Sequence, residues 1–451
     1  MISDAVIWTY ALAPDVEVDP GHGGAFLRTA TGQTWIETAG DTEVLELLAG
    51  VGSSEVQIRD RLRPQAGESS AETRCAALLF RLDRLGLLAR GLSGSGRRLA
   101  SSVPLRPPPH ALLEYPPDEP LQLSPRAIAH AEGNGVTIET PGSWARMVIH
   151  DRELLPLLYD LAVARPAADI AAAAIGHSDQ AILAVLTLMN RCGLLDRADH
   201  EGWSGHDLFF HARTRKGYAR IPLGKTCPKG KITDQPASST KADGLVRVAL
   251  ELPDLPRLLA DDPPYAMVCE RRQSARRQGL VALTSGQLSE FLFRTLHERG
   301  GRRPYPSGGA CYPLKAYLAV HSCRGIVPGL YAYDSAVHDL ALLGKPGAGL
   351  DRLLADAAAA AGVERPPQIL IMLAACFVRT TRSYGDLSYS LILKEVGAVF
   401  QAAMMAGTAM GLATCPLGCG DSLLFSKLVG TDPLMETSVG ELMLGSLEEA
   451  V

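Results

Sequence analysis

The chain has 451 residues, 47% of them hydrophobic and 21% charged, and carries a formal net charge of −5 at pH 7. That length exceeds one ordinary core and predicts two or three domains, and the composition is that of a globular chain, not a disordered one. The net negative charge argues against a nucleic-acid binder that works through a broad basic face.

The N-terminus, MISDAVIWTYALAPDVEV, has no basic start and no unbroken apolar run, so no signal peptide is expected. Lys394, Glu395 and Gln401 interrupt the longest membrane-length candidate. Nine scattered cysteines, an odd number, fit reduced thiols better than a disulfide framework. The expectation is a cytoplasmic protein with neither membrane nor nucleic acid as partner.

Residues 1–100 open with two strand-like runs, AVIWTYAL and AFLRTATGQTWIETAG. The helical segments TEVLELLAG, EVQIRDRL and SAETRCAALLFRLDRLGLLAR follow, the last ended by Gly86 as a left-handed cap. Residues 101–125 are dense in Gly, Ser and Pro and read as a linker. Residues 126–200 then repeat the first segment. Gly135–Thr140 (GVTIET) echoes Gln33–Thr38 (QTWIET), and Leu186–Arg197 echoes Leu79–Arg90. The strand–helix–helix–helix–strand order predicts two winged-helix-like modules. The last helix of the second, DQAILAVLTLMNRC, is too apolar to read DNA, which leaves peptide binding along a strand edge or a packing scaffold.

Residues 201–244 form a connecting segment. Its first half, WSGHDLFFHARTRKGYARIPLGK, holds His206 and His211, which are expected to make local hydrogen bonds. Gly224-Lys225-Thr226 lacks the first glycine of a phosphate loop, Ala219 standing there. Cys415 and Cys419 have poor zinc spacing, and no metal site is expected.

From 245 to 451 the pattern alternates. Helices are predicted over 286–298, 351–362 and 421–429, and strands over 316–323, 329–334, 338–343, 367–375 and 437–445. This is an α+β domain with helices packed on a sheet. Its organising stretch, Thr380–Asp421, runs from an Arg-Ser-Tyr patch and a turn at Gly385-Asp386 into a helix of more than five turns that stops at Gly411. That helix is apolar nearly all round and rich in small residues, so it should be buried on most sides and allow close approach of another backbone. Residues Cys415–Gly420 read as a glycine-rich turn, with Asp421 capping the next helix.

Three stretches offer chemistry. Glu270–Arg277 (ERRQSARR) can hold a phosphate and a polar ring edge, or be a solvated basic run. Arg303–Leu314 (RPYPSGGACYPL) exposes backbone at a glycine turn. The third flanks the long helix, with Ser383-Tyr384 before it and Gly418-Cys419-Gly420 after it.

Taken in order, RRQSAR, RPYPSGGACYPL, SYGDLSYSLILKEVGAVFQAA, CPLGCGD and the closing ELMLGS resemble the SagB-type (azoline) dehydrogenases of the FMN-dependent nitroreductase superfamily. WSGHDLFFHARTRKG matches that family's upstream segment, and the family's longer members carry tandem winged-helix modules. The resemblance implies a nitroreductase-like FMN domain at 245–451, helices on a mixed sheet, and a homodimer with FMN at the subunit interface. Carried over by position, Arg272, Ser274 and Arg276 would hold the phosphate and ribityl chain, and Gln273 the pyrimidine edge. Pro306, Ser307, Gly308 and Gly309 would line the isoalloxazine, and Leu417 and Gly418 would present backbone N–H groups to it.

The implied reaction oxidises a peptide thiazoline or oxazoline to thiazole or oxazole, one ring carbon losing a proton to a base and the other a hydride to the flavin. The implied substrate is a peptide, leader-borne or carrier-bound, with a cyclodehydratase or synthetase as possible partner. Many members have Lys-Tyr before the long helix, where this chain has Ser383-Tyr384. An unaided tyrosine ionises near pH 10, so Tyr384 as proton acceptor would need Arg382 beside it, and Ser383 can equally cap a helix. Two alternatives stand beside this reading: a nitroreductase-fold oxidase of carrier-bound thiazolines, and a flavin-less peptide-recognition subunit. A general NAD(P)H-dependent nitro- or quinone reductase has no use for 200 extra residues.

Overall fold

The computed structural model describes residues 6–29, 31–38, 42–66, 68–109, 120–195, 203–215 and 245–448. Residues 216–244 of the connecting segment, with the rejected Gly224-Lys225-Thr226 motif, and the end of the second repeat at Asp196-Arg197 lie outside them. The chain divides into two compact units, Met1–Leu223 and Gly224–Val451.

The first unit is built on a seven-stranded antiparallel sheet. Its strands run in the order Ser53–Ser54, Ile7–Leu12, Leu88–Gly94, Arg97–Pro104, Ala145–Ile149, Gly135–Glu139, Ile128–Glu132. The sequence repeat has unlike settings in the structure: Gly32–Glu37 belongs to a separate three-stranded sheet with Glu17–Gly21 and Gly24–Thr29, whereas Gly135–Glu139 lies in the seven-stranded sheet. The echoed QTWIET and GVTIET lie in the strands Gly32–Glu37 and Gly135–Glu139, and the second echo spans the ends of helices Glu68–Arg84 and Asp179–Cys192. Each of these helices is followed by a left-handed glycine, Gly86 (φ 67°) and Gly193 (φ 76°). Each half holds three α-helices, Glu43–Leu48, Glu55–Ala66 and Glu68–Arg84 in the first and Pro156–Asp160, Ala167–Ala173 and Asp179–Cys192 in the second.

The linker expected from 101 starts later. Ser101 and Ser102 are buried in the strand Arg97–Pro104, where Ser102 pairs with Met147 of the second half. Serines with small side chains fit such a crowded ladder, and their polar composition hides the strand. The two halves therefore share one sheet.

The second unit has its own seven-stranded sheet, ordered Arg247–Ala249, Asp339–Gly344, Gly329–Asp334, Leu314–Val320, Ile369–Cys376, Glu436–Ser446, Leu412–Leu417. All of its ladders are antiparallel. Among the described residues the parallel component of the expected mixed sheet is confined to a separate pair, Leu283–Thr284 with Cys323–Arg324. Alternation along Leu314–Val320 sends Ala316, Leu318 and Val320 into one core and Tyr317 and Ala319 into the other, as period-two geometry requires.

Against the first face lie the helix Ser285–Thr295, through Leu288, Phe291 and Leu292, and the long helix Ser388–Ala409, through Ile392, Val396, Val399 and Ala403. Thr284 and Gln287 close a capping box at the start of Ser285–Thr295. Against the opposite face lies the helix Ala348–Ala361, with Phe425. The result is three layers with apolar seams on both sides of the sheet.

The long helix is less enclosed than its composition suggests. Tyr389, Leu393, Gly397 and Gln401, four residues apart, form an exposed stripe. The stretch Phe377–Ala409 has the length and apolarity to cross a membrane (mean hydropathy 1.2), with 44% of its most apolar window buried inside the unit. Asp421 caps Ser422–Val429 as expected, accepting from Leu424 N–H at 2.8 Å. The turn expected over Cys415–Gly420 is shorter, because Cys415, Pro416 and Leu417 finish a strand. That strand is the outermost of its sheet, where proline's missing N–H costs no ladder bond.

Candidate functional site

The glycine turn sits against the N-terminal half of the long helix. Gly309 (φ 59°), Ala310 (φ 54°) and Tyr312 (φ 41°) all occupy left-handed backbone, a concentration of strain that the surroundings must enforce. The clamps are identifiable. Arg303 donates from Nη1 to the Leu314 carbonyl (2.6 Å) and to the Tyr305 hydroxyl (3.0 Å). Arg379 donates to the Tyr312 carbonyl (3.1 Å), and Ser307 Oγ accepts from Tyr312 N–H (2.9 Å). Burial holds the Tyr305 hydroxyl above its ordinary pKa, against the opposing pull of Arg303.

Ser307 is held in turn by Glu395, a buried carboxyl on the long helix. Burial pushes its pKa up to about 7, with the Ser307 hydrogen bond and the Arg303 charge pulling the other way. Its Oε1 makes no hydrogen bond. The sequence showed Glu395 only as a charge interrupting an apolar helix. That oddity was the available signal for a carboxyl with a task.

Arg382, Ser383 and Tyr384 form the last turn of a short helix, Phe377–Tyr384. Helical spacing sends the three apart: Arg382 is exposed, Ser383 buried and Tyr384 half-buried. Ser383 therefore stands at a C-terminal end and is not the N-cap considered from sequence. Tyr384 packs on the glycine turn, and a Cβ added at Gly309 would lie 2.6 Å from its hydroxyl. The structure thus joins Tyr384 to Gly308 and Gly309 across 75 residues of chain.

The arginine segment is held elsewhere along the same helix. Arg272 ends the helix Tyr265–Arg271, and Ala275 N–H donates to the Thr414 carbonyl (3.0 Å), so the segment runs beside the edge strand Leu412–Leu417. Arg272, Gln273, Ser274 and Arg276 are all exposed. Burial raises the Cys415 thiol pKa, and Arg276 opposes that shift, which puts the guanidinium close to this strand. At its end Leu417 is buried and Gly418 exposed, with open space where a Gly418 side chain would stand. Glu441 closes on Gly420 from behind, and burial lifts its carboxyl above the ordinary range.

Two groups of residues therefore meet the long helix at different levels. Gly308 touches it at Leu391, whereas Thr414 touches it at Gly407. Sixteen residues at 1.5 Å rise separate these levels by about 24 Å. Pro306 is exposed and Ser307 half-buried on the first group's rim. His206 is an exposed residue near Ser204 Oγ (3.4 Å), and the His211 ring lies 5.4 Å from that of Trp203.

The donor set suits a phosphorylated, flat heterocycle. Exposed guanidiniums and a hydroxyl stand at one place, while side-chain-free backbone stands at Gly308, Gly309 and Gly418.

Residues 272–446 match the nitroreductase family, and residues 121–220 match the family described as cyanobactin oxidase ThcOx. The protein named Putative nitroreductase MJ1384, from Methanocaldococcus jannaschii, is 32% identical over 175 residues, which cover 38% of this chain and 83% of that protein. Structural likeness is weaker. A putative nitroreductase from Ralstonia eutropha JMP134 aligns at TM-score 0.38 and 19% identity, over 51% of this chain and all of that one. A chain of the E. coli microcin synthetase McbBCD complex with truncated pro-MccB17 aligns at 0.35 and 17%, over 49% of this chain and 79% of that one. With the nitroreductase match over the second unit and a relative 32% identical over most of its own length, the chain belongs to the nitroreductase family of oxidoreductases.

Proposed function

We propose that this protein is an FMN-dependent azoline dehydrogenase, oxidising thiazoline or oxazoline rings of a peptide to thiazole or oxazole. The observation that carries this reading is Tyr384 set against the Gly308-Gly309 turn, a hydroxyl beside bare backbone where a flat ring can lie. The family matches upstream and downstream support it, the upstream one being to the family described as cyanobactin oxidase.

In this reading Arg272, Ser274 and Arg276 hold the FMN phosphate and ribityl chain, and Gln273 the pyrimidine edge. Pro306, Ser307, Gly308 and Gly309 would line the isoalloxazine, and Leu417 and Gly418 would offer it backbone N–H groups. Bound FMN supplies a two-electron acceptor. Tyr384 takes the proton from the acidic ring carbon at its phenolic oxygen, and Arg382, on a different face of the same helical turn, adds positive charge only at longer range than a lysine directly beside the tyrosine would. Ser307, fixed by Glu395, keeps the turn in its strained form so that Tyr384 and the substrate ring meet at a set distance.

The separation of the two groups along the long helix favours a homodimer. Two such helices packed antiparallel through the exposed stripe Tyr389, Leu393, Gly397 and Gln401 would bring the glycine turn of one chain to the arginine segment of the other. The first unit, 1–223, binds a leader peptide or a partner enzyme through its winged-helix-like modules. A cytoplasmic setting, expected from the scattered cysteines of the sequence, is part of this reading.

The test is an absorption spectrum of purified protein between about 300 and 550 nm, with the released cofactor identified by mass. Flavin bands and FMN, followed by conversion of a thiazoline peptide, are expected. A colourless protein that takes up no added FMN would leave a recognition subunit instead.

A further inference from the structure

The second half of the first unit contains a side-chain cluster that the dehydrogenase reading does not use. Asp151 follows the strand Ala145–Ile149 and caps the 3-10 turn Arg152–Leu154, accepting Glu153 N–H on Oδ1 at 3.1 Å. The cap fixes the carboxylate and leaves Oδ2 directed away from the backbone. Facing it is His177, in the loop ahead of the helix Asp179–Cys192. Its Nε2 lies 3.8 Å from Asp151 Oδ2 and 3.9 Å from Glu153 Oε2. The three donor atoms lie within 4.8 Å of one another.

Burial makes this spacing informative. The side chains of His177 and Asp151 are each only 6% exposed, and neither His177 Nε2 nor Asp151 Oδ2 makes a hydrogen bond. A buried imidazole nitrogen and a buried carboxylate oxygen normally close to about 3 Å, because an unmade bond there costs roughly 1–3 kcal/mol. Here the nitrogen stands between two carboxylates at nearly equal distance, bonded to neither. Gly176, at φ 92°, lets the loop approach, since a Cβ there would press on Glu153 Oε2 at 3.1 Å.

We infer that Asp151, Glu153 and His177 form a zinc-class divalent metal site. One imidazole and two carboxylates make a three-ligand set, with the fourth position left to water on the exposed Glu153 side. Around an ion with bonds of about 2.0–2.1 Å, tetrahedral ligands stand about 3.4 Å apart, so the two His177 gaps of 3.8 and 3.9 Å need to close by about 0.5 Å, and the gap between the two carboxylates, within 4.8 Å, by at most about 1.4 Å. The imidazole selects a transition ion over calcium or magnesium, which prefer oxygen. Arg97 approaches the same carboxylates, at 3.4 Å from Asp151 Oδ2 and 3.2 Å from Glu153 Oε2, and its side chain is half exposed. It competes for the site as a displaceable cation, and one negative charge remains after it is counted. A bound ion would pin the turn after one strand to the loop that starts the last helix of this half.

The experiment uses full-length protein stripped with a chelator, dialysed and titrated with Zn²⁺, with bound metal counted by elemental analysis and Co²⁺ substitution read by visible spectroscopy. One ion per chain is expected, together with a Zn²⁺-dependent rise in Tm. His177→Ala and Asp151→Asn should each weaken binding by about tenfold or more. Arg97→Gln should tighten it several-fold, which an ordinary ion-pair cluster would not do. Because cysteines elsewhere can also take Zn²⁺, His177→Ala binding as tightly as the parent would overturn the assignment. Should that variant not fold, absence of Co²⁺ ligand-field bands in the parent protein would overturn it equally.

Discussion

Tyr384 reaches the glycine turn from the C-terminal end of an eight-residue helix, and Arg382 leaves the same turn on a different face. Tyr384→Phe should abolish turnover while leaving the flavin spectrum unchanged, and full turnover in that variant would remove the tyrosine from the mechanism. Arg382→Ala should lower kcat at least about tenfold, the scale of a lost acid–base group, with Arg382→Lys recovering most of it.

Gly309→Ala tests the contact itself. The new Cβ would meet the Tyr384 hydroxyl at 2.6 Å in a left-handed backbone, so both a loss of roughly 1–3 kcal/mol of stability and a fall in kcat are expected, read by thermal melts and single-turnover rates.

Glu395 makes a pH prediction of definite sign. Its folded pKa is raised to about 7 from 4.5, so the folded state holds a proton that the unfolded state has released. The stabilisation is complete below about pH 4.5 and is lost as pH rises through about 7, an effect of up to roughly 3 kcal/mol. Denaturant midpoints at about pH 5 and about pH 8 should differ less in Glu395→Gln than in the parent, and identical differences would refute the assignment.

At the scale of elements, the long helix and its return strand form the frame on which both halves of the site hang. Gly407 faces Thr414 so closely that any side chain would strike it. Gly407→Val should therefore cost about 1–3 kcal/mol through overpacking and weaken flavin binding by displacing the strand that ends at Leu417, measurable by melting and by retained absorbance.

This frame was legible because periodicity survives in long segments. The helix to Gly411, the capped helix after Asp421 and the sheet strands near 329–334, 369–376 and 436–446 all announce themselves by pattern. What escaped was short or masked. The strand Leu412–Leu417 is disguised by Pro416, which only an edge position tolerates. The helices Leu255–Asp261, Tyr265–Arg271 and Phe377–Tyr384 span too few turns for a period to show. The pairing of Tyr384 with Gly309, and of Glu395 with Ser307, is set by tertiary packing that no local pattern encodes.

For the whole molecule, the exposed stripe on the long helix is the feature with the largest consequence. Leu393 is 38% exposed and Tyr389 46%, costly for apolar surface unless something covers it. If a second copy does, Leu393→Glu should shift the protein from dimer to monomer in light scattering and release flavin with it. A parent protein that is monomeric and fully flavinated would count against a shared site. The repeat in the first unit was visible in sequence from two echoed stretches, but its joint sheet was not. Of the two strands that join the halves, Ala145–Ile149 (ARMVI) carries a β-branched signature, but Arg97–Pro104 (RRLASSVP) is disguised by its serines and arginines.

That joint sheet has a consequence for valency. Two separate copies would each present their own strand edges, and a duplicated module would hold two extended peptides. Fused through their central ladder, the copies leave this sheet only two edges. One is the two-residue strand Ser53–Ser54, and the other the five-residue strand Ile128–Glu132. Only the second is long enough to template a visiting strand. Among the described strands this sheet offers one docking edge, so a peptide captured by strand addition to it would bind one per chain, while the separate three-stranded sheet Glu17–Gly21, Gly24–Thr29, Gly32–Glu37 keeps edges of its own.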